Sequence, residues 1–525
     1  MQELPSSQGF SVDFSVPRYD EVAYEMANKW FGKTYVANTM EKFHRSVPTL
    51  QAMVDDFMGF DRIRPHRLSD AVYTAVLDSV RRDFVPEVPL VPLTLGGVKD
   101  HPDFPKSKSP GLPYILEGVH RKDIAFDRDF GNLLGVWDRI GRGRPVHLPD
   151  VCAYFRAQLA THDKDKIRAV WGFPLAVTAE EARFVYPYLE WIKKSKAPVS
   201  YGLEMAKGGM AYINSMLLSG RTYCCLDWSS FDKCPPAWLI RDVFGILKQS
   251  FDMSSVLASD GKYFPVRKDK SDRRWERLVS YFINTTIRFP DGRRFRKDGG
   301  IPSGSVFTNI VDTIVNCIVT RYMVYQCTGH LPEGEIYHGD DSVLSLRGCV
   351  NLDDWSKLAL SSFGLVLSTK KSWCTKNRRN VHFLGFYNSN GFPIRSQDFI
   401  LSSFIEPERV ITSVLETTAR AVGQMYSTLH PMQAAKWWCI VNDLMHVHSL
   451  SKESLSAWIS EHPERFKYLW HFGFKPGDIV IPETSVFGGV REVTPPAFAL
   501  KTWTMSPSTF PTQAFVPSRV EASAR

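Results

Sequence analysis

The chain has 525 residues, which suits one large multi-lobed domain or two to three domains better than a single simple core. With 44% hydrophobic and 13% aromatic residues it is ordinary globular material, and no long low-complexity tract or internal repeat interrupts it. The 64 basic residues exceed the 56 acidic ones by eight, an excess compatible with a nucleic-acid partner but too mild to establish one. Nine cysteines without a C-x-x-C pair or a zinc-like Cys/His spacing argue against a secreted disulfide scaffold and predict a reducing compartment. The opening residues are mixed and polar, unlike a signal peptide, and no run of eighteen apolar residues predicts a membrane segment. The nearest such run, 311–324, is broken by Asp312, Asn316 and Arg321.

In chain order, residues 1 to about 90 mix short helical patterns with polar joints, and 85–118 are rich in Pro and Gly and read as loop. Residues 175–195 predict a helix, and 221–226 a buried strand ending at Asp227. Pro235 and Pro236 open a helix with apolar positions Leu239, Val243, Leu247 and Phe251. Residues 262–298 hold twelve basic against five acidic side chains, interleaved with Tyr263, Phe264, Trp275, Tyr281, Phe282, Phe289 and Phe295. That mixture fits a surface that tracks a nucleic-acid strand, with cations for phosphates and rings for bases. A helix is expected from Ser303 to about Tyr325, and 335–346 read as a hairpin closed around Gly339-Asp340-Asp341. Another helix covers 353–363, and 381–396 contain two short strands around Asn388-Ser389-Asn390-Gly391, whose Asn-Gly favours a tight turn. From about 404 the chain is mainly helical, and from Glu492 it reads as an extended Pro/Ser/Thr-rich tail.

The chemistry rests on carboxylates. Asp227 ends a strand and Asp340-Asp341 sit at a hairpin tip, where Gly339 permits a backbone angle that other residues resist. Phosphoryl transfer needs charge compensation on the attacking and leaving oxygens, which two Mg²⁺ ions about 3.5–4 Å apart supply. Mg²⁺ prefers carboxylate oxygen and keeps several waters, so two or three aspartates on rigid strands suffice. A Gly-Asp-Asp tripeptide alone is more often a plain surface turn. Its weight comes from the motifs around it.

Those motifs are Leu226-Asp227-Trp228-Ser229-Ser230-Phe231-Asp232, Gly300-Ile301-Pro302-Ser303-Gly304 running on through Thr308 and Asp312 to Asn316, and Tyr337-His338-Gly339-Asp340-Asp341-Ser342. Phe363-Gly364-Leu365 then leads to Lys370 and Lys371, and upstream lie Lys164-Asp165-Lys166-Ile167-Arg168 and Val170-Trp171-Gly172-Phe173-Pro174. Their order and spacing over roughly 105–400 resemble the motif series of viral RNA-dependent RNA polymerases, the partitivirus family above all, with picobirnaviruses as near relatives.

The resemblance implies an α+β right-hand fold with fingers, palm and thumb, the palm an antiparallel β-sheet backed by helices. It implies an N-terminal extension bridging fingers and thumb over 1–95, fingers over 96–215, palm over 216–260 and 303–400, a fingers insertion over 261–302, thumb over 401–491 and a tail over 492–525. Asp227, Asp340 and, more weakly, Asp341 would hold two Mg²⁺ or Mn²⁺ ions. Lys164, Lys166 and Arg168 would grip the triphosphate, and Lys370 or Lys371 would protonate the leaving pyrophosphate. Asp232 would sense the ribose 2′-hydroxyl, with Ser303, Gly304 and Thr308 facing the incoming sugar. Asp312 stands where positive-strand viral polymerases commonly carry Asn, as is usual for partitivirus-like enzymes, so the sugar contact could fall to Asp312 or to Asn316. Ser109 and Gly111 resemble the loop that guides template, and Phe383-Leu384-Gly385 with Tyr387 the hairpin that holds a primer strand or initiating nucleotide. His338, Trp437 and Trp438 read as packing residues.

The implied partners are RNA template and product, nucleoside triphosphates and a viral capsid protein, in the host cytoplasm and in the virion of a double-stranded RNA virus. A palm polymerase acting on DNA is the rival within enzymes, and a non-catalytic RNA-binding or capsid protein is the rival outside them.

Overall fold

The structure is a computed structural model that describes residues 1–15, 19–163, 165–479 and 481. At its centre lies a four-stranded antiparallel sheet in the order Gly334–His338, Asp341–Leu346, Thr222–Leu226, Trp373–Thr375. Successive side chains of a strand point to opposite faces, and here each face meets a different core. Cys224, Leu226, Leu344 and Leu346 enter a core built with the helices Ala237–Lys248, Thr308–Thr328 and Leu352–Phe363. Tyr223, Cys225, Val343 and Ile336 enter a second core with the helices Glu21–Phe31, Gln397–Ile405, Val414–Ser427 and Pro431–Val447, where Trp437 and Trp438 are buried. The Thr222–Leu226 strand is buried throughout because neither of its faces meets water.

A second sheet of five strands runs in the order Gln2–Leu4, Arg294–Arg296, Thr286–Arg288, Val151–Ala157, Ile167–Gly172. The N-terminal residues touch both halves of the molecule. Gln2–Leu4 pair with Arg294–Arg296, and the helix Leu50–Met58 packs on Ile167–Gly172. The helix Glu21–Phe31 packs on the C-terminal helices. Asp20 caps Glu21–Phe31 by accepting from the Ala23 N–H, and its other oxygen accepts from the Thr417 hydroxyl (2.6 Å) and from Arg420 (2.9 Å).

The 381–396 segment forms three short strands, His382–Phe383, Phe386–Ser389 and Phe392–Arg395, where two were expected. Asn390 and Gly391 take the left-handed conformations (φ 53° and 91°) that an Asn-Gly hairpin turn requires. The loop-like 85–118 contains a short helix, Leu95–Asp100, started by the Thr94 side chain.

Two further expectations change. The helix expected from Ser303 begins at Thr308, because residues 303–305 are held sideways by neighbouring elements, as described below. The basic block 262–297 is largely internal wiring. Arg288 and Arg294 both bind the buried Asp150, Arg274 binds Glu180, and Arg267 and Arg273 share Asp269. Lys297 is wholly buried and donates to the carbonyls of Phe282, Ile283 and Gly300 (2.5, 2.9 and 2.8 Å), closing the end of the helix Lys268–Ile283. Trp275, Phe282, Phe289 and Phe295 are core, while Tyr263 and Phe264 remain exposed.

Adjacent glutamates on the helix Leu175–Ile192 show how surroundings set charge. Both are buried. At Glu180 burial opposes ionisation, but Arg183 and Arg274 outweigh it and leave the pKa below its ordinary value. Glu181 has no cation within 4 Å among the described residues, and burial pushes its pKa up to about 8. The unfolded chain ionises this group near its ordinary 4.5, so stability present at acid pH is lost as pH rises towards about 8. The melting temperature of Glu181→Gln relative to wild type should therefore climb from pH 5 to pH 8, with the gap read by thermal unfolding at each pH.

Arg321, 4% exposed, binds Glu335 through two nitrogens, Asp83 through a third contact and the Ser79 hydroxyl, tying three elements together. Arg321→Met leaves Glu335 without its cation and should cost about 3–5 kcal/mol in urea unfolding.

Candidate functional site

Register brings the carboxylates together. Ser342 pairs with Leu226 and His338 with Asp341, so Gly339 and Asp340 form the hairpin tip and Asp227 follows its strand into the same place. Gly339 takes φ 58° at that tip. The backbone of Asp227 is clamped from the other side: its N–H donates to Ser372 Oγ (2.8 Å), and its carbonyl accepts from the Ser368 N–H (2.9 Å). Asp227 and Asp340 are both exposed and lie near enough for the charge of one to act on the other, and among the described residues neither forms an ion pair. Desolvation, aided by the Asp227 charge, raises the Asp340 pKa against the pull of Arg168 and Lys166.

Asp341 has one oxygen already engaged. Its Oδ2 accepts the Leu384 N–H (2.6 Å), tying the tip to the 382–389 hairpin, and burial pushes its pKa up to about 7. Among the described residues no group of three or more His, Cys, Asp and Glu side chains is gathered to hold a metal. Asp227 and Asp340 offer carboxylates with no ion-pair partner among the described residues, and Asp341 stands beside them with Oδ2 engaged. That fits Mg²⁺, which is commonly bound by one or two carboxylates, with waters and substrate phosphates completing its shell.

Cations face this pair. Lys166 lies just before the strand Ile167–Gly172 and Arg168 within it. Burial lowers the Lys166 pKa, as do the charges of Arg168 and Lys371, while Asp227 and Asp340 act the other way. Of the two candidate proton donors, Lys371 is the one whose charge acts on Lys166. Lys370 and Lys371 both sit in the exposed turn between Ser368 and Ser372. Lys164 lies outside the described residues.

The helix Thr308–Thr328 supplies the floor. Its buried polar residues need partners, and the hairpin tip provides them. Thr313 Oγ1 accepts the Gly339 N–H (2.8 Å). Asn316 donates to the carbonyls of Gly339 (3.0 Å) and Asp341 (3.4 Å) and accepts from Trp228 Nε1 (3.2 Å) and Thr320 (3.1 Å). All four hydrogen-bonding positions of Asn316 are taken, so it holds the turn and is not free for a sugar. Asp312 differs: it is buried, its Oδ1 has no hydrogen-bond partner among the described residues, and its pKa is pushed well above the carboxylate range by burial and by the charges of Asp232 and Asp340. At Asp232, burial and Asp340 raise the pKa to about 6, partly offset by Arg168 and Lys233. Burial and mutual charge thus push both members of the acidic pair towards the protonated form.

Thr308 donates to the Pro302 carbonyl, and the exposed Ser303 accepts the Trp171 N–H (3.4 Å). Gly304 lies so close to the Trp171 carbonyl that an added Cβ would stand 1.6 Å from its oxygen. The Ser109 hydroxyl accepts the Gly111 N–H (3.2 Å), and Gly111 (φ 69°) packs on Phe173 and Pro174. Lys108 beside them has its pKa lowered by burial and by Lys467 and Arg409. A cavity of about 510 Å³ adjoins, with Arg45, Lys166, Arg395, Arg409 and Lys467 in its wall beside Glu408, Glu416 and Glu464, and with Arg156 paired to Glu408. Arg395 stacks between Phe386 (5.7 Å) and Phe472 (5.0 Å), and burial pushes its pKa down to about 10.

Sequence reasoning missed Thr313, Ser368 and Ser372, which grip backbone and not substrate. Their only signal was adjacency to Asp312 and to the lysine pair. Thr313→Val keeps the shape and leaves the Gly339 N–H unpaired. It should cost about 1–3 kcal/mol in chemical denaturation, and a neutral result would show that the turn holds itself.

The viral RNA-dependent RNA polymerase family matches residues 19–396, well over half of the chain. The RNA-directed RNA polymerase of White clover cryptic virus 1 is 26% identical over 351 residues, covering 61% of this chain and 54% of that protein. That of Cryptosporidium parvum virus 1 is 27% identical over 354 residues, 62% of each. The chain thus spans about half to three-fifths of the curated relatives it matches. The crystal structure of a human picobirnavirus RNA-dependent RNA polymerase superposes with a TM-score of 0.61 over 90% of both chains at 16% identity, a likeness of fold. On these matches the chain belongs to the viral RNA-dependent RNA polymerase family and is partitivirus-like within it.

Proposed function

We propose that this chain is an RNA-directed RNA polymerase of a double-stranded RNA virus, joining nucleotides from nucleoside triphosphates to an RNA 3′-hydroxyl along an RNA template. The observation that carries the reading is the convergence of two unpaired carboxylates, Asp227 and Asp340, with Lys166, Arg168 and Lys371 in one place. Asp227 and Asp340 are the residues to hold two Mg²⁺ or Mn²⁺ ions, which when bound offset the charge that develops on the attacking and leaving oxygens. Lys166 and Arg168 bind the triphosphate, Lys as a point charge and Arg as a fork. Lys371 offers its ammonium proton to the departing pyrophosphate, with Lys370 as its alternate.

Asp232 and Asp312, whose carboxyls burial and mutual charge push towards the protonated form, are the candidates to meet a ribose 2′-hydroxyl, a group that separates RNA from DNA precursors. The loop at Ser109 and Gly111 and the cation-bearing cavity suit an entering template strand, whose phosphates need positive charge. The reading extends to fingers, palm and thumb at the boundaries given above, a capsid protein as partner, and work in the host cytoplasm and the virion.

The test is incorporation of labelled nucleoside triphosphates on an RNA template with Mg²⁺, wild type against Asp340→Ala. Loss of about a thousandfold or more is expected, the worth of several kcal/mol at the transition state, with RNA affinity kept. Equal activity in both, or RNA binding by an inert wild type, refutes the enzyme reading. Deoxynucleotides run in parallel should be poor substrates, and Asp232→Asn should narrow the difference by about tenfold.

A further inference from the structure

We propose that Glu181 is a positioning residue for the nucleotide-facing loop 302–307, an inference that rests on the polymerase reading above. The helix Thr308–Thr328 begins without a capping side chain of its own. Its preceding loop must therefore find acceptors elsewhere, since the first N–H groups of a helix have no partner within it. Glu181 stands at that point. Its Oε2 accepts the Ser305 hydroxyl, and the N–H groups of Val306 and Phe307 lie against its carboxyl. Ser305 Oγ in turn accepts the Phe307 N–H (3.1 Å).

Nothing else in the fold rewards a carboxyl there. Glu181 is 2% exposed, forms no ion pair among the described residues, and leaves Oε1 without a hydrogen-bond partner. Its neighbour Glu180 is locked between two arginines, whereas Lys122, the cation closest in influence on Glu181, donates to Thr178 (3.4 Å). Burying an unpaired carboxyl costs stability, and an apolar side chain would avoid the cost. The hydrogen-bonded partner it acquires, Ser305, belongs to the loop.

The loop is held at three further points. The Ile301 N–H donates to the Asp232 carbonyl (2.6 Å), Ser303 accepts the Trp171 N–H, and Gly304 is pressed on the Trp171 carbonyl. Glu181 therefore fixes the far end of a segment whose near end is tied to Asp232, with Ser303 and Gly304 between. Releasing Ser305 shifts the surface offered to the incoming nucleotide and leaves Asp227 and Asp340, held by their own sheet, in place.

The experiment uses the full chain as Glu181→Gln, Glu181→Leu and Ser305→Ala, with steady-state constants for a ribonucleotide and its deoxy counterpart on an RNA template, beside melting temperatures. Glu181→Gln keeps an acceptor for Ser305 and should stay within about threefold of wild type in kcat and KM. Glu181→Leu and Ser305→Ala should raise the ribonucleotide KM about tenfold with kcat within about threefold, and should narrow discrimination against the deoxynucleotide. Unchanged KM and discrimination in both variants overturn the proposal, as does a fall in kcat at constant KM. If Glu181→Leu does not fold, Ser305→Ala, which removes one oxygen, decides alone. A wild type that incorporates nothing sinks the polymerase reading and this inference with it; an active wild type with unaffected variants sinks this inference only.

Discussion

The site depends on one register. Leu226 lies opposite Ser342, and Asp227 reaches Asp340 only because that pairing is kept. A slip of one residue would turn every side chain of the strand to the other face, exchanging Cys224 and Leu226 with Tyr223 and Cys225 between two cores of different shape. Ordinary core packing on both faces of the sheet thus holds the carboxylates side by side, without any contact between them. Like charges repel, so the scaffold has to supply what their own interaction does not.

The long helix Thr308–Thr328 serves the same end by different means. It is buried on nearly every side, yet it carries Asp312, Thr313, Asn316, Thr320 and Arg321. Thr313, Asn316 and Arg321 reach across to the hairpin strands or their turn, and Thr320 braces Asn316. Asp312 is left with an oxygen unanswered and stands nearest in charge to Asp232 and Asp340. Polar residues in a core are acceptable when satisfied, and on this helix Asp312 is the exception among the described residues.

Most of the fold could be read from residue order. The strand at 221–226, the hairpin around Gly339 and the helices at 175–195 and 353–363 each had a periodicity or a turn residue to announce them. So did Asp227 and Asp340, through the motifs around them. What escaped depends on where distant segments meet. Arg294 looked like an RNA-facing cation until Asp150 was placed beside it, and Asn316 looked like a sugar contact until the Gly339 carbonyl took its amide. The helix expected at Ser303 starts later because Trp171 and Glu181, on other elements, hold residues 303–305. Charge composition shows that cations are present but not which carboxylates they will find.

The N-terminal arm carries a consequence for how the chain is made. Asp20 binds Arg420, 400 residues further on, and Gln2–Leu4 complete a sheet edge at Arg294–Arg296. At about 5–20 residues per second, synthesis leaves Asp20 waiting tens of seconds for its partner. Meanwhile the face of the helix Glu21–Phe31 that will bury Ala23 and Ala27 has nothing to cover it. The sheet edge waits for residue 296 and the second core for the C-terminal helices, so a chain released early would leave the apolar face of Glu21–Phe31 uncovered.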